Sequence, residues 1–433
     1  MTEHSEHGQF EPAFARVAEA FFTSTRKAEG GGALAVYQDG AKVLDLWGGR
    51  RDPSGAPWEE HTPSLSFSTT KGVASVALHM CADRALITYD APVARYWPEF
   101  AQAGKDGITV RHVLCHEAGL YDVRGLLDDA HQLLDWEHVV GALAAATPAH
   151  APGRFNAYHA LTYGYLVGEL VRRVSGVHLR DFVRTELAEP LGLDHLHIGA
   201  PPEAVAQAAR YFPLPEGELR RRGGRHAGAG GSAGGSLGGP GGVNHGGERA
   251  AGRRRGASLR GRAQRAGVLA LRRAGIPLDQ ERFVRALAPR GVAALDWSAD
   301  ATLAACNPSA GGLFTARALA KLYGALAVGG TLDGVQVLSR ERIQQLATLQ
   351  NRRPDGVLLL PMHWRMGFHS IASKRGFHPG AFGHYGFRGS GAFADPKRRM
   401  SVAYVTNCGV GSPIGDGRIF EFAGIAARCA GRG

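Results

Sequence analysis

Strand-like text is confined to the two ends of this 433-residue chain, and that placement is the tightest constraint on what it can fold into. Near the N-terminus, Ala33-Leu34-Ala35-Val36-Tyr37 and the run from Lys42 to Trp47 flank Gln38-Asp39-Gly40. Two β-prone runs around an Asp-Gly turn predict a hairpin. Residues 11–22 precede it, with Phe14, Val17, Ala18, Phe21 and Phe22 at helical spacing, so an amphipathic helix should lie on the sheet. Near the C-terminus, residues 364–369, 389–394 and 400–407 read as strands, and 419–429 as a closing helix. Between the ends the pattern turns helical: Val73, Val76, Ala77, Met80 and Cys81 form one stripe, and residues 166–174 form another.

A sheet whose strands come from both termini must be closed by pairing the two ends of the chain. The expected class is α/β (α+β), an antiparallel sheet flanked by helices with a mainly α-helical insertion. The expected boundaries are 10–70 and 296–430 for the sheet domain and 71–210 for the helical domain, with the active site in the cleft between them.

Residues 218–275 belong to neither. From Arg220 to Gly267, seventeen of forty-eight residues are glycine, and Leu237, Val243 and Leu259 are almost the only sizeable apolar side chains. Such text cannot bury enough surface to offset the entropy of ordering. From Arg220 to Arg273 there are thirteen arginines and one acid, Glu248, a local charge of +12 in a chain of formal charge +11, so everything else sums to −1. The tract has no aromatic residue for base stacking, which argues against nucleic acid as a partner. A surface loop is one reading; text from a shifted frame in GC-rich DNA is the favoured one. Peptide mass spectrometry across Arg225 to Arg260 separates the two.

The apolar runs, such as residues 164–170, break well short of the roughly 20 residues a membrane span needs. Residues 1–11 hold three Glu and two His and no apolar run, unlike a secretory signal, so a cytoplasmic protein is expected. Five cysteines at wide, irregular spacing suggest neither a disulfide framework nor a metal site.

Three short elements carry chemistry. The first is Ser66-Phe67-Ser68-Thr69-Thr70-Lys71-Gly72, opening the first helical stripe. Three-residue spacing puts Lys71 one turn beyond Ser68 on the same face, within reach of its hydroxyl. A lysine acting as base near neutral pH must have its affinity for a proton lowered by roughly three orders of magnitude, about 4 kcal/mol, which burial can supply. Alone, Ser-x-x-Lys is more often a capped helix start. The second is Tyr158-His159-Ala160, on a loop after Pro152-Gly153 and before the helix from Tyr163. Its phenol could pass a proton if Lys71 lowers its pKa from about 10. The third runs from Phe382 through His384-Tyr385-Gly386-Phe387 to Gly391, where glycines permit close approach of a ligand and an edge strand would offer an inward N–H to an oxyanion.

In this order and at these separations, the three elements resemble the serine β-lactamase-like superfamily: class C β-lactamases, penicillin-binding-protein-like enzymes and, especially, the family VIII carboxylesterases. Residues 86–93, 108–120 and 311–323 add to the likeness, which spans about 12–210 and 296–425. The resemblance implies Ser68 as acylated nucleophile, Lys71 as general base and Tyr158 as the partner completing proton transfer. It implies an oxyanion hole of the Ser68 and Phe387 backbone N–H groups, substrate contacts from His384, Tyr385 and Gly386, and hydrolysis through an acyl-enzyme without metal or cofactor. Where β-lactamases have Tyr-x-Asn and Lys-Thr-Gly, this chain has Tyr158-His159-Ala160 and His384-Tyr385-Gly386. The missing lysine would hold a β-lactam carboxylate and the missing asparagine its amide side chain. Neutral esters need neither.

The expected function is therefore a carboxylesterase acting on small, short-acyl esters. The alternatives on the same scaffold are a β-lactamase, a D-aminopeptidase or an acyltransferase, and, of another kind, a catalytically silent binding protein.

Overall fold

The computed structural model describes residues 6–212, 280–409 and 412–431; the Gly/Arg-rich tract expected at 218–275 lies outside them. Seven antiparallel strands form the main sheet: β1 (Glu6–Phe10), β2 (Gly31–Gln38), β3 (Ala41–Gly49), β4 (His369–Ser373), β5 (Gly376–Tyr385), β6 (Gly391–Asp395) and β7 (Met400–Thr406). Their order is β1-β3-β2-β7-β6-β5-β4. The two ends of the chain meet where β2 pairs β7, from Gln38 opposite Met400 to Gly32 opposite Thr406. The mixed α/β class and the antiparallel sheet flanked by helices are as the sequence predicts.

The β2–β3 hairpin turns on Asp39 and Gly40, with φ of 51° and 84°. Positive φ at both central residues is the geometry that matches the twist of the strands, and Asp-Gly adopts it with little strain. Alternation then assigns the faces. Leu34, Val36, Leu44, Leu46, Val402 and Tyr404 pack against α1 (Ala15–Arg26) and α5 (Gly417–Cys429), with Phe21 and Phe422 at the centre. Ala33, Ala35, Tyr37, Ala392 and Ala403 face the opposite core, which α4 (Ala316–Ala327) covers. Small residues on this face let α4 sit close: a Cβ added at Gly324 would lie 3.2 Å from that of Tyr37.

Beyond α4 lies α2 (Thr70–Asp83), buried on every side from Thr70 to Ala82. The sequence shows it as a stripe of Val73, Val76, Ala77, Met80 and Cys81, whereas Ser75 and His79 are buried as well. Tertiary partners satisfy both: Ser75 donates to the Lys71 carbonyl (2.6 Å), and His79 lies 2.7 Å from the Tyr89 hydroxyl and 2.9 Å from the Met366 carbonyl. Helix α3 (Tyr163–Ser175) packs on α2 and ends at Gly176 in the left-handed region, φ 75°.

Two differences from the sequence reading bear on the site. Residues 364–369 do not form one strand: Gly367, at φ 83°, turns the chain, Trp364 keeps only an isolated bridge to His369, and β4 begins at His369. The Trp364 indole is instead held by Asp355, Nε1 to Oδ2 at 2.9 Å. The strand carrying His384, expected at an edge, is paired on both sides, with β6 along Phe382–Tyr385 and with β4 as far as Gly383 opposite His369. Strand β1, which no apolar pattern announces, extends the far edge through β3. No helix among the described residues is long and apolar enough to cross a membrane.

Candidate active site

Ser68 sits in a single 3-10 turn, Phe67–Thr69, that runs directly into α2. The turn is anchored at both ends. Ser64–Leu65 pairs with Gly312–Phe314, the Ser66 N–H donates to the Gly312 carbonyl (2.8 Å), and the Gly312 N–H donates to Thr70 Oγ1 (2.9 Å). Phe67, immediately before the serine, has φ 43°, a conformation a bulky residue holds only when its surroundings impose it. Its ring is surrounded by Tyr211, Trp297 and Phe387, with centroids 5.2–5.4 Å away.

Lys71 is fully buried, and its Nζ donates to Ser68 Oγ (2.9 Å) and to the Ser309 carbonyl (2.7 Å). Asn307 shapes that second acceptor: its Oδ1 takes the N–H groups of Ser309 and Ala310, both at 3.1 Å. The Gly164 N–H at the start of α3 donates to Ser309 Oγ (2.8 Å). No carboxylate contacts the amine among the described residues, and burial holds its pKa well below the ordinary lysine value.

Tyr158 donates its hydroxyl to Ser68 Oγ at 2.8 Å, so two side chains converge on one oxygen. The ring lies under the Lys71 amine, 5.1 Å from its centroid, and beside Trp364 at 5.5 Å and 15°. The expectation that Lys71 would lower the phenol's pKa is not met. Burial pushes it up, so the group is a neutral phenol at physiological pH.

At the end of β5, His384 is 2% exposed, on the same face as Phe382 and toward Tyr158, 6.1 Å between rings. Its Nδ1 lies 2.9 Å from the Tyr385 carbonyl, which assigns the proton to that nitrogen and leaves Nε2 a buried lone pair with no protein partner among the described residues. Burial and the nearby His369 and Lys71 hold the ring neutral. Tyr385 points the other way: its ring packs on Phe420 of α5 and its hydroxyl donates to the Ala372 carbonyl, so it does not join the group around Ser68.

Gly386 brings the strand end against the serine turn, where an added Cβ would lie 2.3 Å from the Ser66 carbonyl oxygen. Phe387 follows, with its ring 5.4 Å from that of Phe67. Among the described residues, neither the Ser68 nor the Phe387 N–H has a protein acceptor.

Residues missed in the sequence are Ser309, Asn307, Asp355 and Trp364. Asn307-Pro308-Ser309 is legible as a turn, but nothing local shows that its carbonyl faces a lysine 238 residues away. Among the described residues, no group of three or more His, Cys, Asp or Glu is placed to hold a metal ion.

A family model described as beta-lactamase matches residues 17–420. The chain belongs to the beta-lactamase family. Within it, Esterase/beta-lactamase LipL of Mycobacterium tuberculosis (strain ATCC 25618 / H37Rv) is 38% identical over 405 residues, covering 92% of this chain and 82% of the relative. The crystal structure of a family VIII carboxylesterase superposes with a TM-score of 0.79 at 31% identity, over 98% of this chain and 100% of the other. A penicillin-binding protein homolog from Caulobacter crescentus gives 0.73 at 33%, over 97% and 99%. At this level the chain is a serine hydrolase of the beta-lactamase family.

Proposed function

We propose that this beta-lactamase family member is a carboxylesterase for small, short-acyl esters, acting through an acyl-enzyme on Ser68. The observation that carries the reading is the convergence of the Lys71 amine (2.9 Å) and the Tyr158 hydroxyl (2.8 Å) on Ser68 Oγ. With Lys71 as free base, Ser68 Oγ attacks the ester carbonyl while its proton passes to Nζ. The carbonyl oxygen becomes an oxyanion received by the N–H groups of Ser68 and Phe387, donors of a kind that contribute about 3 kcal/mol each. As the C–O bond breaks, the Tyr158 phenol protonates the departing alkoxide and is reprotonated by the Lys71 ammonium. Water then repeats the sequence on the acyl-enzyme and returns the proton to Ser68.

The preference for neutral esters rests on His384. Where a cation would receive a substrate carboxylate, this chain presents a neutral ring with a bare Nε2. An acceptor there repels a carboxylate and suits a neutral ester or one bearing a hydroxyl. The purified protein is expected to hydrolyse p-nitrophenyl acetate and butyrate at least about 100-fold faster, in kcat/KM, than nitrocefin or D-amino-acid amides. Equal or faster nitrocefin turnover would replace the esterase reading with a β-lactamase one.

The approach at Gly386 supplies a second expected outcome. Gly386→Ala must push the strand end away from Ser66, carrying the Phe387 N–H with it, and a displacement near 1 Å costs up to about 100-fold. Esterase kcat is expected to fall by about tenfold or more, with KM nearly unchanged. A variant with wild-type kcat would remove Phe387 from the oxyanion hole.

A further inference from the structure

Asp355 lies in the loop ahead of β4, far from every motif of the sequence, and is 1% exposed. Its Oδ1 accepts the backbone N–H groups of Tyr158 (3.1 Å), Val357 (2.8 Å) and Leu358 (2.9 Å). Its Oδ2 accepts Asn156 Nδ2 (3.2 Å) and Trp364 Nε1 (2.9 Å). All five partners are donors, so a protonated carboxyl would set an O–H against an N–H. The donor geometry fits the ionised form, although burial outweighs these hydrogen bonds and raises the pKa above the ordinary carboxylate value. Among the described residues, no lysine or arginine neutralises it.

The donors are not scattered. Two, the Tyr158 N–H and the Asn156 amide, belong to the segment that carries the phenol. A third, Trp364, lies nearly parallel to the Tyr158 ring at 5.5 Å. The Gly356 N–H returns a hydrogen bond to the Asn156 carbonyl (2.8 Å), so the two loops are clamped in both directions. A phenol has one rotatable ring on a backbone that is otherwise loop, and its 2.8 Å contact with Ser68 Oγ is only as well placed as that backbone.

We propose that Asp355 is the positioning residue of the site, an anion that fixes the Tyr158 backbone and its flanking indole so that the phenol meets Ser68 Oγ. The inference rests on the reading of Tyr158 as proton-transfer partner. It acts through Tyr158, without touching substrate.

A double-mutant cycle tests it on the full chain, with p-nitrophenyl acetate as substrate. Asp355→Asn keeps the shape but turns a donor toward Trp364 and Asn156. Its kcat is expected to fall about 10- to 100-fold with KM within about threefold. In the Tyr158→Phe background the same change is expected to cost less than about threefold, because the group being positioned has already lost its hydroxyl. Asp355→Glu is expected to recover part of the activity. If Asp355→Asn does not fold, Trp364→Phe, which removes one donor and keeps a ring, replaces it in the cycle. Losses that multiply across the cycle, or an Asp355→Asn kcat within about twofold of wild type, overturn the inference alone. Full activity in Tyr158→Phe would overturn it together with the reading of Tyr158, which makes the two failures distinguishable.

Discussion

Ser68→Ala is expected to lower kcat/KM for p-nitrophenyl acetate by about four orders of magnitude or more, and to abolish covalent labelling by a serine-directed phosphonate. The whole arrangement has one acceptor at its centre. Removing Oγ leaves the Lys71 amine with the Ser309 carbonyl and the Tyr158 hydroxyl with no protein partner among the described residues, so on the proposed mechanism neither has a nucleophile to serve. The loss should be confined to chemistry. Ser68 is 9% exposed, so water can replace the lost hydrogen bonds, and thermal unfolding should move by only a few degrees. Intact-protein mass spectrometry gives the second readout: one phosphonyl group added to the wild type and none to the variant. Labelling of the variant at full stoichiometry would place the nucleophile elsewhere.

What the sequence made legible was local. The β2–β3 hairpin could be read because Asp39-Gly40 carries its own turn geometry, and the Ser68–Lys71 pair because helical spacing alone brings three-apart residues together. Tyr158 and the His384 strand were picked out locally, but only the resemblance joined them to Ser68, since 90 residues separate the phenol from the serine and no periodicity spans that interval. The rest depended on tertiary partners. The burial of Ser75 and His79 opposite the apolar stripe of α2 is set by Tyr163, Tyr89 and Met366, all remote in sequence. Trp364 looked like the start of a strand until Asp355 took its indole.

The same division explains which residues the motif reading over-assigned. Within His384-Tyr385-Gly386, strand alternation sends neighbouring side chains to opposite faces, so only one of His384 and Tyr385 can face Ser68. His384 does, and Tyr385 belongs to the α5 core. Gly386 contributes by having no side chain at all. A three-residue motif on a strand therefore holds one side chain, one close approach and one core anchor.

On the proposed mechanism, the proton on Lys71 should set the acid limb of activity and contribute to the pH dependence of stability. Its amine is useful to Ser68 only when unprotonated, and burial without a carboxylate partner lowers its pKa well below the ordinary value. The acid limb of kcat/KM should therefore rise with pH through the Lys71 pKa. Lys71→Arg keeps a cation that does not deprotonate, so it is expected to lose at least about 1,000-fold at every pH up to 10 and to show no such limb. Stability follows the same proton. In the unfolded chain the lysine stays protonated up to about pH 10.4, whereas in the fold it releases its proton earlier. Between those two values the unfolded state binds more protons, so the stability of the wild type rises with pH across that interval. Lys71→Met has no proton to release. The melting temperature of the wild type is thus expected to gain on that of Lys71→Met as pH increases from neutral toward 10. A constant difference between the two melting curves across that range, or an arginine variant that retains activity, would sink the assignment of Lys71 as a buried neutral base.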